Sequence, residues 1–383
     1  MFKTKRKCKN MNMERIKVLH LTELGAGGIA KLTVTINKFL SDKIQFDYLV
    51  FRDRKEFLED EALSYGGKKQ IIDTENIHNT LLKVIWKEVE MIKLFKKEQY
   101  DFVHVDASTP YDVVVAIAAK LAGIKRIVLH SHNDNFHGTK PLRDFFMPLY
   151  KWCMLFVVTD YITISESAAN FMFPKKILKE KKYHFVHNGI DVDKYIYSDE
   201  DRKKYRQELN LEDKFVLGNV GRFDYQKNHD FIVDVFEEIH KKQTDSILLL
   251  AGKGDLENSI KEKLKKKNLL DYVIFYGITH DVRKVLLMMD AFIFSSRFEG
   301  LGIVGIEAQT TGLLTFCADT IVEEVNVTDC FKRIHGWNAC EWANVILNTC
   351  KEQNSRLDMR KSITDSGYNV REVAAWLEAF YLK

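Results

Sequence analysis

Apolar strand-like runs and amphipathic helix-like runs alternate along nearly the whole chain, and the alternation halts once before starting again. The first series opens with RIKVLHLTE (Arg15–Glu23), a glycine turn and the helical pattern of LGAGGIAKLTVTINKFL. It continues through strands at Phe46–Phe51, Lys69–Ile72, Tyr100–Val105, Arg126–His130 and Tyr161–Ser165, separated by helical stretches that include Asn79–Lys97 and Leu142–Val157. Strands that alternate with helices bury both faces of a parallel sheet, so this series predicts a doubly wound α/β unit. The rhythm breaks at the turn signal Asn188-Gly189, and no strand pattern returns until Phe215. A second series follows, with strands at Phe215–Val220, Ser246–Gly252, Tyr272–Gly277, Ala291–Phe294 and Leu313–Phe316. At 383 residues the chain exceeds what one core supports. Two Rossmann-like domains, 13–194 and 195–368, are therefore expected to face each other across a cleft.

The remaining totals exclude other classes. With 46% hydrophobic and 29% charged residues the chain is neither disordered nor fibrous. The net charge of +4 is small, and no basic face for nucleic acid is visible. Much of the excess sits in Lys3, Lys5, Arg6, Lys7 and Lys9, read as a solvated terminus, with attraction to anionic lipid as the alternative. The six cysteines form no C-x-x-C pair, which suits a reducing cytoplasm. The basic start runs into the polar NMNMER rather than an apolar segment, so no signal peptide is expected. The longest apolar run, Phe145–Val158, is too short to span a bilayer and is read as a buried helix of the first domain, with a membrane-surface role as the alternative.

Ligands of open parallel sheets sit beyond the carboxyl ends of the strands, and four strand-end loops carry unusual residues. Gly25, Gly27 and Gly28 let backbone approach a ligand closely. His130 and His132 alternate at a strand end, followed by Asn133 and Asp134. Arg222 and Lys227 in GRFDYQKN offer a guanidinium fork and a point charge suited to a diphosphate. The fourth loop lies in DAFIFSSRFEGLGIVGIEAQTTG: a glycine turn opens a helix at Ile303 and aims free N–H groups at an anion, while Glu299 and Glu307 flank it. Carboxylates beside a phosphate site imply hydroxyl groups, and a ligand with both is a sugar nucleotide.

The pieces GAGGIAK, LHSHN, TISES, HNGIDVDKY, GRFDYQKN, LLLAGKGDLENSI and FEGLGIVGIEAQTTG occur in an order that resembles family-4 glycosyltransferases of the GT-B type, near those that build capsules and exopolysaccharides. The resemblance implies transfer from a nucleoside-diphosphate sugar, with a UDP-sugar as leading donor, to a glycan or lipid-linked acceptor. It also implies retained anomeric configuration, no bound metal or other cofactor, and a cytoplasmic enzyme that can sit at the inner membrane face. Arg222 and Lys227 correspond to the diphosphate-holding pair, and Glu307 to the ribose-binding glutamate. Glu299 corresponds to the glutamate facing the donor sugar, with the Gly302, Ile303 and Val304 backbone beside the phosphates. His130 matches the histidine near the sugar, and Gly27 and Gly28 the loop that closes on the donor. The catalytic set implied is Glu299, His130, Arg222 and Lys227. The last helix, 369–383, is expected to pack back on the first domain. Leu314 and Ala30 depart from the family pattern.

Other readings compete. Gly300, Gly302 and Gly305 spell a dinucleotide G-x-G-x-x-G, as Gly25, Gly27 and Ala30 nearly do with Asp53 beyond, which would suit an NAD(P)-dependent oxidoreductase. That fingerprint belongs on the first strand of a sheet and leaves Glu299 and Arg222 without a role. A non-catalytic sugar-nucleotide-binding protein is the second alternative. His130, His132 and His137 lack an evident further metal ligand. Asp191–Asp193 is read as a turn feature, and Cys330, Cys340 and Cys350 as packing residues.

Overall fold

A computed structural model describes residues 15–383 apart from 76, 78, 134–140 and 354; for 80, 81 and 141–144 it describes the backbone alone. The basic residues Lys3, Lys5, Arg6, Lys7 and Lys9, and also Cys8, Asp134 and His137, lie outside the described residues. The first series forms β1 (Ile16–Leu21), α1 (Gly28–Phe39), β2 (Ile44–Val50), α2 (Glu59–Ser64), β3 (Lys69–Ile71), α3 (Thr80–Glu98) and β4 (Phe102–Ala107). It goes on with α4 (Val113–Ala122), β5 (Arg126–Ser131), α5 (Pro141–Val157), β6 (Asp160–Thr163), α6 (Glu166–Met172), α7 (Lys175–Glu180) and β7 (His184–Phe185). The second series forms α8 (Asp199–Gln207), β8 (Phe215–Val220), α9 (His229–Lys242), β9 (Ser246–Ala251), α10 (Glu257–Lys266), β10 (Val273–Gly277) and α11 (Val282–Met288). It ends with β11 (Ala291–Phe294), α12 (Ile303–Thr310), β12 (Thr315–Ala318), β13 (Phe331–Ile334), α13 (Ala339–Glu352), α14 (Arg360–Asp365) and α15 (Val370–Tyr381).

The first sheet has seven strands in the order β3-β2-β1-β4-β5-β6-β7, and the second six in the order β10-β9-β8-β11-β12-β13. In each, the chain starts in the middle, builds outward one way and then reverses. The reversals fall between β1 and β4 and between β8 and β11, all parallel neighbours. These are two Rossmann-like domains. The second shows the period of two that a doubly covered sheet demands. Leu217, Leu248, Leu250, Ile293 and Phe316 enter one buried cluster, while Val216, Leu249, Ala251, Phe292, Phe294 and Cys317 enter the other.

Two compact units result. One takes the residues up to His130, Phe146–Tyr161 and Ala374–Lys383; the other takes Ser131–Phe145 and Ile162–Val373. Lys194 lies between the last strand of the first sheet and the first strand of the second. The second unit begins earlier in sequence because Ile164, Ala168, Ile190, Val192 and Tyr195 share one core with Phe292 and Phe294. From Ala374 onward α15 belongs to the first unit: Tyr381 packs edge-on against Phe46 and Phe102, and Glu378 accepts from the Ser41 backbone N–H and hydroxyl at 3.0 and 2.6 Å.

Two expectations need correction. The run Phe145–Val158 is helical, but it is not a buried helix. Among its described side chains Met154 is buried, whereas Phe145, Leu149, Trp152 and Phe156 are 75, 48, 57 and 60% exposed, spaced as one helical face. Hydropathy locates an apolar stripe without saying which way it faces. The charged stretch after Lys194, where no strand was expected before Phe215, holds a helix: α8 is capped by Ser198 on the Asp201 N–H at 3.1 Å, with acids in its first turn and bases in its last. Its anchor is a guanidinium instead of an apolar stripe, since buried Arg206 donates to the carbonyls of Met288 and Leu211. Finally, Cys330 is buried and Cys350 half-buried, where burial pushes its thiol up to about 12, but Cys340 is exposed, its sulfur meeting Lys242 and Asn344 at 3.8 and 3.9 Å rather than a core.

Candidate active site

At the switch point of the second sheet, β8 and β11 end side by side, and their loops carry most of the candidate residues. After Phe294 the chain turns through Gly302, whose φ of 80° is the left-handed region and which caps α12. A Cβ at this position would also lie 2.4 Å from the Phe294 ring, so glycine is required twice over. The first amides of α12, those of Ile303 and Val304, have no acceptor within their own helix. They form a seat for an anion. One turn on, buried Glu307 accepts a hydrogen bond from the Tyr195 hydroxyl at 2.5 Å. Burial first, and then the Glu307 charge, holds the Tyr195 phenol protonated.

The loop after β8 is laced to the loop after β11. Arg297 N–H donates to the Gln226 carbonyl at 2.8 Å, and the Gln226 amide donates to Phe298 O at 3.1 Å and to Glu299 Oε2 at 3.2 Å. Lys227 Nζ meets Glu299 Oε1 at 2.5 Å and lies 5.6 Å from the Phe294 ring centre. Both partners of this ion pair are largely withdrawn from water. Arg222 is not drawn in: its side chain is 74% exposed and leans on Asp224 at 3.4 Å. Gly221 keeps the loop tight, because a Cβ there would press the Lys227 stem at 3.0 Å. Deeper, at the end of β11, the buried hydroxyls of Ser295 and Ser296 have no partner among the described residues, and neither has Oδ1 of Asn219 at the end of β8. Buried polar atoms are normally satisfied, so these mark a floor built for something polar.

The first sheet furnishes its own switch point differently. Gly27 caps α1, and Gly28 is its first residue. Cβ atoms on Gly25, Gly27 or Gly28 would touch nothing within 4 Å, so the fold itself does not demand glycine there. Beneath lies a buried network. His20 Nδ1 is 2.9 Å from Asp106 Oδ2, His104 Nδ1 is 2.7 Å from the Tyr381 hydroxyl, and His104 Nε2 is 3.2 Å from His130 Nδ1. The adjoining cavity of about 10 Å³ admits about one water. Two groups lie close enough to hold a cation, His20 with His104 and Asp106, and Asp106 with His130 and His132; the second gives those two histidines the carboxylate that the sequence did not show beside them, while His20 pairs with Asp106 and His104 with His130.

A cavity of about 500 Å³ in the second unit lies at the opposite edge of its sheet, lined by Arg202, Arg206, Phe215 and Asp290 among others. Asp290 there is already paired with both arginines, and none of the candidate residues reaches it. Asp191–Asp193 stands in a turn, where Asp193 holds Arg360 and Arg371 at 3.4 and 3.3 Å. The Gly300, Gly302, Gly305 fingerprint follows β11, the fourth strand of its sheet in chain order and not the first. The sequence left Tyr195, Gln226, Ser295 and Ser296 without a role. Tyr195 lies within the motif HNGIDVDKY, but its partner is 112 positions away.

Two Rossmann-like domains, the second with an anion seat flanked by carboxylates, define a glycosyltransferase of the GT-B fold. Residues 26–194 match the family described as Glycosyltransferase Family 4, and residues 201–363 match Glycosyl transferases group 1; the chain belongs to this family. It is 29% identical over 322 residues, 82% of each chain, to a Bacillus subtilis protein named as the glycosyltransferase EpsF. An Escherichia coli UDP-Gal:alpha-D-GlcNAc-diphosphoundecaprenol alpha-1,3-galactosyltransferase is 28% identical over 258 residues, 66% of this chain and 65% of its own. Among solved structures, Anabaena HepE in complex with UDP and glucose shares the fold, with a TM-score of 0.77 at 17% identity, over 97% of this chain and all of its own. The protein is an enzyme that transfers glycosyl groups, and a Staphylococcus aureus relative, 29% identical over 61% of this chain and 64% of its own, is named as a capsular polysaccharide biosynthesis glycosyltransferase.

Proposed function

We propose that the chain moves a sugar from a nucleoside diphosphate, with UDP as the leading nucleotide, to a lipid-linked or growing glycan, with retention at the anomeric carbon. The observation that carries this reading is the convergence of the α12 amides, the Lys227–Glu299 pair and the Glu307–Tyr195 pair at one strand edge. In this reading the α12 N-terminus and Lys227 receive the diphosphate, and Arg222 swings in from solvent to join them. Charge growing on the leaving phosphate is then offset without a metal ion. Glu307, oriented by Tyr195, takes the ribose hydroxyls. Once the phosphate engages Lys227, Glu299 is released to the donor sugar; in the first unit, Gly27 and Gly28 stand for the loop that closes on a donor and His130 for the histidine that meets its sugar. A relative of Anabaena crystallised with UDP and glucose supports the donor class. Calorimetric titration with UDP, UDP-sugars and NADH tests it: tight UDP binding is expected, and binding of NADH with none of UDP would sink the reading. Turnover that persists in excess EDTA tests the metal-free clause.

The same reading extends to a membrane acceptor. No described helix is long and apolar enough to cross a membrane, but α5 and α3 each expose an apolar face: Leu149, Trp152 and Phe156 on one, Leu82, Ile85, Trp86 and Val89 on the other. Tyr111 and Tyr150 stack edge to face 5.5 Å apart, and Trp152 stacks on Phe156 at 4.7 Å. Aromatic rings with lysines among them, here Lys83, Lys87 and Lys151, suit the interface of an anionic bilayer. The E. coli relative named above has a polyprenyl diphosphate in its acceptor, which such a surface would serve. Sedimentation with phosphatidylglycerol vesicles is expected, and to be lost in Trp152→Ser/Phe156→Ser; a soluble wild type under the same conditions refutes this extension.

A further inference from the structure

The buried network of the first unit has a direction. Tyr381 is fully enclosed by Phe46, Phe102, Phe380 and His104, and burial keeps its phenol protonated. Its hydroxyl has one hydrogen-bond partner among the described residues, His104 Nδ1 at 2.7 Å. If the hydroxyl accepted there, its own proton would point into aromatic rings and remain unsatisfied, a loss of about 1–3 kcal/mol. Tyr381 therefore donates, and Nδ1 of His104 carries no proton. A neutral His104 then carries its proton on Nε2.

A second contact points the same way. Asp106 Oδ1 lies 3.6 Å from His104 Nε2, and a carboxylate favours a proton on the nitrogen that faces it. The other Asp106 oxygen is occupied by His20 at 2.9 Å. His104 Nε2 also meets His130 Nδ1 at 3.2 Å, and two imidazole nitrogens at that distance need one donor and one acceptor. Asp106 Oδ1 also lies 3.9 Å from His130 Nδ1; neither this distance nor the 3.6 Å to His104 Nε2 is a hydrogen bond, and the carboxylate favours a proton on His104 only by standing nearer to it.

We infer that Tyr381, acting through His104, fixes the proton of His130 on Nε2, so that His130 meets the transferred sugar as a neutral hydrogen-bond donor. Tyr381 and His104 are positioning residues, and the C-terminal helix thereby sets the tautomer of a residue on β5. The ligand half of the inference rests on the proposed function; the tautomer half does not.

The two halves separate in experiment. Long-range proton–nitrogen NMR on the full chain, labelled with ¹⁵N-histidine and with His130 assigned through His130→Gln, reads the tautomer directly. A proton on Nε2 is expected in the wild type. In Tyr381→Phe, which keeps the ring packing, a shift toward the Nδ1 form is expected, with transfer turnover down about five- to thirty-fold and the donor KM unchanged. A wild-type proton on Nδ1, a tautomer indifferent to Tyr381→Phe, or one equivalent of zinc bound through His104 Nε2 overturns the inference. Unchanged turnover in His130→Gln overturns the ligand half even where the tautomer is as assigned.

Discussion

Both sheets reverse direction beside their first strand, yet the two reversals are furnished in opposite ways. The β8/β11 edge gathers charge: an ion pair, open helix amides and a carboxylate held by a phenol. The β1/β4 edge gathers buried imidazoles around a single aspartate, with hydroxyl and ring contacts from α15. The lesson is that topology supplies a crevice and side chains decide its use. Charge at a strand edge suits a charged ligand, whereas a buried network of imidazoles suits the orientation of one hydrogen bond.

Substitutions can break this contrast, the largest effect coming from the charged edge. Lys227→Ala should cost about 2 to 4 kcal/mol in kcat/KM by removing the phosphate-facing charge and stranding Glu299 in a buried place. Steady-state kinetics within a few-fold of wild type would erase the distinction between the edges. Gly302→Ala should lower stability by about 2 to 3 kcal/mol in urea denaturation, since it forces a left-handed φ and a clash with Phe294.

His229, just after the β8 loop, sharpens the contrast from the charged side. Burial lowers its pKa to about 4, so the folded state keeps it neutral while the unfolded chain takes up a proton below about 6.5. Stability is therefore lost as pH falls from 6.5 toward 4, by about 2 kcal/mol at pH 5. The His229→Phe variant should lack that acid limb when wild type and variant are unfolded at pH 7 and pH 5. Tyr195→Phe should weaken UDP binding by about 1 to 2 kcal/mol with little change in turnover, because it frees Glu307 from its orienting donor; calorimetry reads the difference. The smallest effect concerns the apolar face. Burial raises the Glu88 carboxyl to about 7, so vesicle binding should strengthen modestly as pH drops from 8 to 6 and the group becomes neutral.

Much of the fold was legible because local pattern and tertiary environment agree. The helix over His229–Lys242 and the strand over Ala291–Phe294 stand where periodicity puts them. The short α7, β7 and β13 carried too few apolar residues to register, and α8 is held by arginine instead of an apolar stripe. Candidate site residues were legible as types at strand ends, but their pairings were not. Lys227 and Glu299 were read as facing phosphate and sugar separately, and that they also pair with each other across 72 positions was not legible.

By itself, the sequence determined two doubly wound series, the glycine turn that opens α12 and the order of motifs that names the family. These are local properties: hydrophobic period, φ freedom at Gly302 and residue spacing. Only the tertiary structure decided that the stripe of α5 faces outward, that Tyr195 orients Glu307, and that Tyr381 reaches His104 across 277 positions. The reason is physical. A hydrogen bond or an ion pair depends on distances of a few ångströms, and for residues far apart in the chain those distances exist only once the sheets and helices have packed.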